Sequence, residues 1–271
     1  MTDLRGSLKQ RLREGDAVFG LVVKMPCAAL IETAGHAGFD YVIVDTEHGF
    51  ADGHELEHHL RAADGVGIAG LVRVSSSSAT EILHALDAGA EGIVVPRVGT
   101  ARMAADVVRA AHYPPTGGRG LATSTRAGRH GMVSLADHVA NARERTLIVV
   151  QVEEAEAIPE VAAICAVEHV DAVFVGPTDL SMSLGRPGQL DHPDVAAAIA
   201  RIAATVAEAD RALAVLVGDE DGALRWQADG ARMLSFAAPA LIASRLRELA
   251  AGIHPGVAAM GANTSRPETA R

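Results

Sequence analysis

Two apolar runs of this chain end in carboxylates: Val150-Gln151-Val152-Glu153 and Val175-Gly176-Pro177-Thr178-Asp179-Leu180. Successive side chains of an extended segment alternate between faces, so Gln151 and Glu153 share one side. Gly176 allows close backbone approach, and Pro177 suits the first turn of a helix, whose free N–H groups attract anions. Glu153 and Asp179, brought face to face, would repel unless a cation lay between them. Oxygen ligation with open positions fits Mg, Mn or Co better than a closed structural zinc site.

Two further runs end in groups able to carry protons or charge. Val44-Asp45-Thr46-Glu47-His48-Gly49 places ionisable Asp45, Glu47 and His48 directly after an apolar strand. An imidazole titrates near neutrality, which makes His48 a candidate general base. The plain alternative is a capping cluster for a helix over Asp52–His59. Gly70-Leu71-Val72-Arg73-Val74 carries a guanidinium within an apolar strand. Such a group is unfavourable there unless it meets an anion, and its planar fork suits a carboxylate or enolate oxygen. The alternative is an ion pair with Asp45 or Glu47.

The chain has only two lysines, Lys9 and Lys24. A Schiff-base aldolase needs a desolvated lysine amine in its pocket. Lys9 falls in a charged N-terminal helical stretch, which leaves Lys24. Metal-assisted chemistry is therefore favoured.

These groups need a scaffold that gathers strand ends. Short β-branched runs recur at Ala17–Val23, Tyr41–Asp45, Ala69–Val74, Gly92–Val95, Leu147–Gln151, Ala172–Val175, Leu213–Val217 and Met233–Phe236. Helical patterns alternate with them at Ala28–Ala37, Glu55–Ala63, Ala79–Ala88, Arg102–Ala111, Glu156–Val167, Asp194–Ala209, Asp221–Ala228 and Pro239–Ala251. Eight strand–helix units predict a single-domain (β/α)8 TIM barrel over residues 1–253, with chemistry at the C-terminal strand ends. An open doubly wound sheet would usually have fewer strands. No glycine-rich dinucleotide fingerprint follows the first strand, where Lys24-Met25-Pro26-Cys27 stands. Residues 254–271, rich in Gly, Pro, Ser and Thr, are expected to form a flexible tail. The connection from His112 to Arg145 is long enough to suggest a functional or disordered segment. Its Thr116–Gly120 stretch is either a tight turn or a phosphate-binding loop.

Composition narrows the partners. With 49% hydrophobic residues and 3% aromatics, the core must be built from Ala, Val, Leu and Ile. A formal net charge of -10 argues against nucleic-acid or anionic-membrane partners. Cys27 and Cys165 cannot form a disulfide framework and are expected to be buried spectator thiols. The polar segment Met1–Arg13 is unlike a secretory signal, and no apolar stretch is long enough to span a bilayer. A soluble, cytoplasmic protein is the expectation.

Taken in order, several motifs resemble the HpcH/HpaI family of class II pyruvate aldolases, the 4-hydroxy-2-oxoheptanedioate and 2-dehydro-3-deoxyglucarate aldolases. They are Ala37-Gly38-Phe39-Asp40 leading to Asp45-Thr46-Glu47-His48-Gly49, then Val72-Arg73-Val74, Leu86-Asp87-Ala88-Gly89-Ala90 and Val95-Pro96-Arg97-Val98. Tyr113-Pro114-Pro115 with Arg119-Gly120, Gln151-Val152-Glu153 and Gly176-Pro177-Thr178-Asp179-Leu180-Ser181 complete the set, which covers about Ala17 to Leu190. The resemblance implies that Glu153 and Asp179 hold a divalent metal and that Arg73 neutralises the enolate oxygen of pyruvate. It makes His48 the acid/base, oriented by Asp87 from the neighbouring unit. Gln151, Gly176, Thr178 and Leu216 would contact substrate, and Asp45 and Glu47 would order water around the ion. It also implies a homo-oligomer, commonly a hexamer, in which Pro239–Ala251 could pack on a neighbour or simply be the eighth barrel helix.

The chain departs from the family at Arg126-Ala127-Gly128-Arg129-His130, where a bulky aromatic is common, and at Phe236-Ala237-Ala238-Pro239, where Gly-x-Asp is usual. Both departures bear on the aldehyde end. The implied reaction is cleavage or formation of a 4-hydroxy-2-oxo acid from pyruvate, or a close 2-oxo acid, and an aldehyde. Two alternatives stand beside it: a citrate-lyase-like or malyl-thioester lyase, and a non-catalytic oxo-acid binding barrel. A coenzyme A thioester would want a basic groove, which the net charge does not promise.

Overall fold

The structure, a computed structural model, describes residues 6–49 and 52–253. Eight parallel strands close into a barrel in sequence order: β1 Val18–Val23, β2 Tyr41–Asp45, β3 Ala69–Arg73, β4 Gly92–Val95, β5 Leu147–Val152, β6 Ala172–Val175, β7 Ala212–Val217 and β8 Met233–Ala237. β8 closes on β1 with Val18 opposite Met233 and Val22 opposite Ala237. The expected (β/α)8 barrel is the observed fold.

The strands are apolar on both faces because each side of the sheet is covered. One set of side chains, including Leu21, Val44, Val72, Ile93, Val150 and Val173, packs outward against the helices. The alternate set, including Val18, Val22, Tyr41, Ile43, Leu71, Val94, Val149 and Phe174, fills the barrel interior. Tyr41 is the largest filler; its hydroxyl lies 2.8 Å from Ser235 Oγ, so its one polar atom is satisfied inside the core. Opposite it, a Cβ at Gly20 would fall 2.0 Å from the Tyr41 ring, so only glycine leaves room for it.

Following the inward set upward gives the side chains at the mouth. Val22 is followed by Lys24, Ile43 by Asp45, Leu71 by Arg73, Val149 by Gln151 and then Glu153, Phe174 by Gly176, and Ala214 by Leu216. The site is thus the continuation of the core, with polar residues substituted in its last layer.

The opposite end is plugged by α1 Leu8–Arg13. Leu8 and Leu12 join the interior cluster. Lys9, expected on a charged and solvated helix, is instead 1% exposed; it donates to the Thr146 carbonyl at 2.8 Å and pairs with Asp171 at 3.0 Å. Burial lowers its pKa from the ordinary lysine value, against the pull of Asp171.

The long connection after α5 Ala101–Ala111 is ordered and contains a helix the pattern did not predict, α6 Leu135–Arg145. Its Thr116–Gly120 stretch is a tight turn: the amides of Gly117, Gly118 and Arg119 donate to Tyr113, Arg109 and His112 carbonyls. With those amides engaged, the phosphate-loop reading of that stretch falls. Cys165 is buried, but Cys27 is exposed, because it caps α2 Ala28–His36 on the loop above β1 rather than facing the core. The expected flexible tail, 254–271, lies outside the described residues. Among the described residues no helix is long and apolar enough to cross a membrane.

Candidate active site

Above β2 the chain turns at Thr46–Gly49 before α3 Gly53–Val66 begins. The helix is capped by Asp52, whose side chain accepts from Glu55 N–H at 2.9 Å, so the Asp45–His48 cluster is not a helix cap. Asp45 organises the turn instead. Its Oδ1 accepts from the amides of Glu47 and His48 at 3.1 and 3.2 Å.

Asp45 also holds Arg73 in a two-point contact, with Nε to Oδ1 at 2.9 Å and Nη2 to Oδ2 at 2.5 Å. Paired neighbours in the ladder, Asp45 of β2 opposite Arg73 of β3, bring this about. The ion pair that stood as the plain alternative for Arg73 is therefore present. Burial works against the charge of Asp45, but Arg73 and the turn amides outweigh it and hold the carboxyl below its usual range. Both oxygens of Asp45 are engaged, by Arg73 and by the turn amides, so it stands behind Arg73. The remaining Arg73 nitrogen, Nη1, faces the mouth, 3.5 Å from Gln151 Oε1 and 3.6 Å from Glu47 Oε2.

Glu153 follows β5 and is 5% exposed. Its Oε1 accepts from the Arg97 N–H at 3.0 Å, and its Oε2 accepts from Gln151 Nε2. Gly176 closes the space beside it: a Cβ there would fall 2.6 Å from Glu153 Oε2. Burial raises the Glu153 pKa above its ordinary value, and the nearby charges of Asp179 and Glu47 push the same way. Asp179 lies in the first turn of α8 Pro177–Ser183, with Gly176 preceding the helix and Pro177 opening it.

Two adjoining chambers meet at His48 and Asp179. The inner one, about 290 Å³, is lined by Val22, Lys24, Arg73, Gln151, Gly176, Thr178 and Leu216 among others. The outer one, also about 290 Å³, is lined by Glu47, His48, Arg97, Glu153, Glu154, Glu156, Asp179 and Ser183. The structure therefore brings together Glu47, His48, Arg73, Gln151, Glu153, Gly176, Thr178, Asp179 and Leu216.

It does not bring Asp87 to them within one chain. Asp87 ends α4 Ala79–Asp87, at the N-terminal face of the barrel, and pairs with Arg119 at 2.6 Å. Lys24 and Arg97 line the site without having been given a role in it. Lys24 was legible from alternation, two residues beyond the inward Val22; its amine is 3.7 Å from Asp45 Oδ2. Arg97 stands in the Val95-Pro96-Arg97-Val98 motif, but nothing in the sequence assigned it a role, which depends on an unusual backbone turn.

The donor set suits a hard divalent cation. Glu153 and Asp179 offer only oxygen donors, and the charge of Asp179 opposes the ionisation of Glu153; among the described residues no third His, Cys, Asp or Glu completes a protein-only cage. Magnesium-type sites commonly take one or two carboxylates and leave the other positions to water and substrate. The residues present fit such an ion.

A (β/α)8 barrel whose mouth carries a carboxylate pair, a paired arginine and an exposed histidine is built for lyase chemistry of the aldolase type. The chain belongs to the HpcH/HpaI aldolase/citrate lyase family, whose model matches residues 19–240. It is 36% identical over 259 residues to a hydroxypyruvate/pyruvate aldolase of Pseudomonas aeruginosa, covering 95% of this chain and 96% of that one. It is 35% identical over 233 residues to a 2-keto-3-deoxy-L-rhamnonate aldolase of Salmonella gallinarum, covering 86% of each. A crystal structure of a family member from Burkholderia cenocepacia matches with a TM-score of 0.86 at 33% identity, over 91% of this chain and 98% of the other. The chain is thus an enzyme of the aldolase/lyase type.

Proposed function

We propose that this enzyme cleaves or forms a 4-hydroxy-2-oxo acid, with pyruvate or a close 2-oxo acid as donor and an aldehyde as acceptor, using a divalent metal held by Glu153 and Asp179. The observation that carries the reading is the buried Glu153, raised in pKa by desolvation and then by Asp179, on the same mouth as Arg73 and His48. When bound, Mg, Mn or Co would supply Lewis-acid stabilisation of negative charge on the 2-oxo acid.

The chain's own groups account for the rest. Gln151 and the first-turn amides at Thr178 and Asp179 line the inner chamber, where a carboxylate end would sit. Arg73, locked by Asp45, presents Nη1 where enolate charge develops and needs no reorganisation to do so. His48 takes the proton of the C4 hydroxyl. The C3–C4 bond then breaks, its electron pair passes to the pyruvate unit as an enolate, and the aldehyde leaves. Addition is the reverse. Leu216 and the outer chamber would contact the aldehyde. Glu47 would order water near the ion.

The outer rim carries Glu154 and Glu156. This acidity disfavours a coenzyme A thioester, whose phosphates it would repel. The two free thiols suit the reducing cytoplasm.

A homo-oligomer, with the hexamer favoured, belongs to the same proposal. The last helix, α11 Ala238–Ile253, exposes Ile242, Leu246, Leu249 and Ile253 at alternating four- and three-residue spacing, a single apolar stripe. Asp87 would orient His48 only from another subunit.

Retro-aldol cleavage with and without EDTA tests the metal; turnover that survives complete metal removal would sink it. His48→Ala should abolish turnover while pyruvate still binds, and an unaffected rate would remove His48 from its role. Sedimentation tests the assembly, and a monomer at working concentration ends the hexamer.

A further inference from the structure

Arg97 has a backbone that side-chain-bearing residues rarely adopt: its φ is 53°. It follows Pro96 just beyond β4, above the barrel mouth. Such conformations persist only where the surroundings over-determine them, and they concentrate at functional sites. Here the turn aims the Arg97 N–H at Glu153 Oε1, 3.0 Å away, while the next amide, Val98 N–H, donates to the Gln151 carbonyl at 3.0 Å. The loop is thereby fastened both to the end of β5, at the Gln151 carbonyl, and to the Glu153 side chain that follows it.

Glycine would take this backbone shape without strain and still offer the amide. An arginine here therefore needs a use for its side chain, and the structure shows one. Nη2 donates to the Ser75 carbonyl beyond β3 at 3.1 Å and stands 3.4 Å from Glu47 Oε1. The other Glu47 oxygen is 3.6 Å from Arg73 Nη1 and 3.8 Å from His48 Nε2. The Arg97 guanidinium thus bears on the carboxylate that touches both the enolate-facing arginine and the acid/base.

We infer that Arg97 is a positioning residue: its left-handed backbone holds Glu153 in place for the ion, and its guanidinium holds Glu47 against Arg73 and His48. This rests on the reading of Glu153 as a metal ligand. It assigns a role to the whole turn after β4, and it makes residue 97 sensitive to backbone shape as well as to charge.

Mn²⁺ titration of the metal-free protein without substrate, followed by calorimetry, separates the two halves. Arg97→Gly and Arg97→Asn both tolerate the left-handed backbone. They should bind Mn²⁺ within about threefold of the wild type, while retro-aldol kcat falls about tenfold from the loosened Glu47. Arg97→Val resists that backbone and should weaken Mn²⁺ binding by about tenfold or more. Arg97→Ala, expected between the two groups, takes its place where circular dichroism shows the valine variant unfolded. Valine or alanine binding Mn²⁺ as tightly as glycine overturns the proposal, and so does a glycine variant with wild-type kcat. A Glu153→Gln variant that binds Mn²⁺ like the wild type gives a different pattern: it removes the ligand reading itself, and the Arg97 proposal with it.

Discussion

The two ends of this barrel carry the same kind of side chain in opposite circumstances. At the N-terminal face, Asp40, Glu91 and Asp171 sit just before β2, β4 and β6, and each meets a cation: Arg11 at 2.7 Å, Arg145 at 2.7 Å and Lys9 at 3.0 Å. Each also accepts from a backbone amide, of Phe19, Leu8 and Ile148 respectively. At the mouth, Glu47, Glu153 and Asp179 stand close enough that Glu47 and Asp179 oppose the ionisation of Glu153. The base uses carboxylates as staples between strands and the plug helix. The mouth keeps the like charges of Glu153 and Asp179 in reach of one another, an arrangement that the divalent cation proposed above would relieve. Active sites commonly give up stability in this way, and barrels segregate the two uses by face.

The largest effect expected from this contrast lies at the base. Lys9→Ala would leave Asp171 buried with the Ile148 amide and the largely exposed Arg13, at 3.5 Å, as remaining partners, and would open a cavity under α1. Breaking a buried pair by removing one partner costs about 3–5 kcal/mol. Denaturant unfolding should show that loss, while the folded fraction keeps its retro-aldol rate. A lost rate in fully folded protein would break the division between the faces. The next effect lies at the mouth and is catalytic. Arg73→Lys keeps the charge but not the fork that grips Asp45 while presenting Nη1. Steady-state kinetics should show kcat/KM reduced by about 10²-fold, near 2.7 kcal/mol, with little change in melting temperature. If melting falls sharply and catalysis does not, Arg73 is a staple like Lys9.

Much of this contrast was open to sequence reading, because strand runs of Val, Ile and Leu are distinctive. Tyr41–Asp45, Gly92–Val95 and Ala172–Val175 have the same bounds in the sequence pattern and in the structure. Once strand ends are known, alternation decides which polar residues face the mouth, and that gathers Arg73, Gln151 and Glu153. What stayed hidden depends on long-range packing or on backbone shape. A lysine in a charged helix gives no sign that it will be buried, since only the closed barrel base supplies Asp171 and the Thr146 carbonyl. α6 is polar, with only His138 buried, so no apolar stripe announces it. Asp87 sits in a motif whose composition does not say which face its helix ends on. Arg97 carries no signature of a left-handed turn at all.

The smallest effect tests the mouth from the opposite direction, by relieving it. Glu153→Gln removes the buried charge that Asp179 and Glu47 oppose, so the metal-free variant should be more stable than wild type at neutral pH, by on the order of 1 kcal/mol. The sign follows from the raised pKa of Glu153. Between the ordinary glutamate value and the raised folded value, the folded state binds more protons than the unfolded one, so wild-type stability falls as pH rises through that window. The advantage of the glutamine variant should therefore be full above the folded value of Glu153, shrink as pH drops through that window, and vanish only well below the ordinary glutamate value of about 4.3, where the glutamate is protonated in both states. Divalent metal should reverse the order. At about a hundred times its dissociation constant an ion bound only by the folded state adds about 2.7 kcal/mol, or roughly 5–10 °C for a chain of this size. Wild type should gain that and the glutamine variant far less. Melting curves across pH with and without Mn²⁺ measure both. A metal-free glutamine variant that melts below wild type at pH 7 would show Glu153 to be a staple, and the carboxylates of the mouth would then differ from those of the base in position alone.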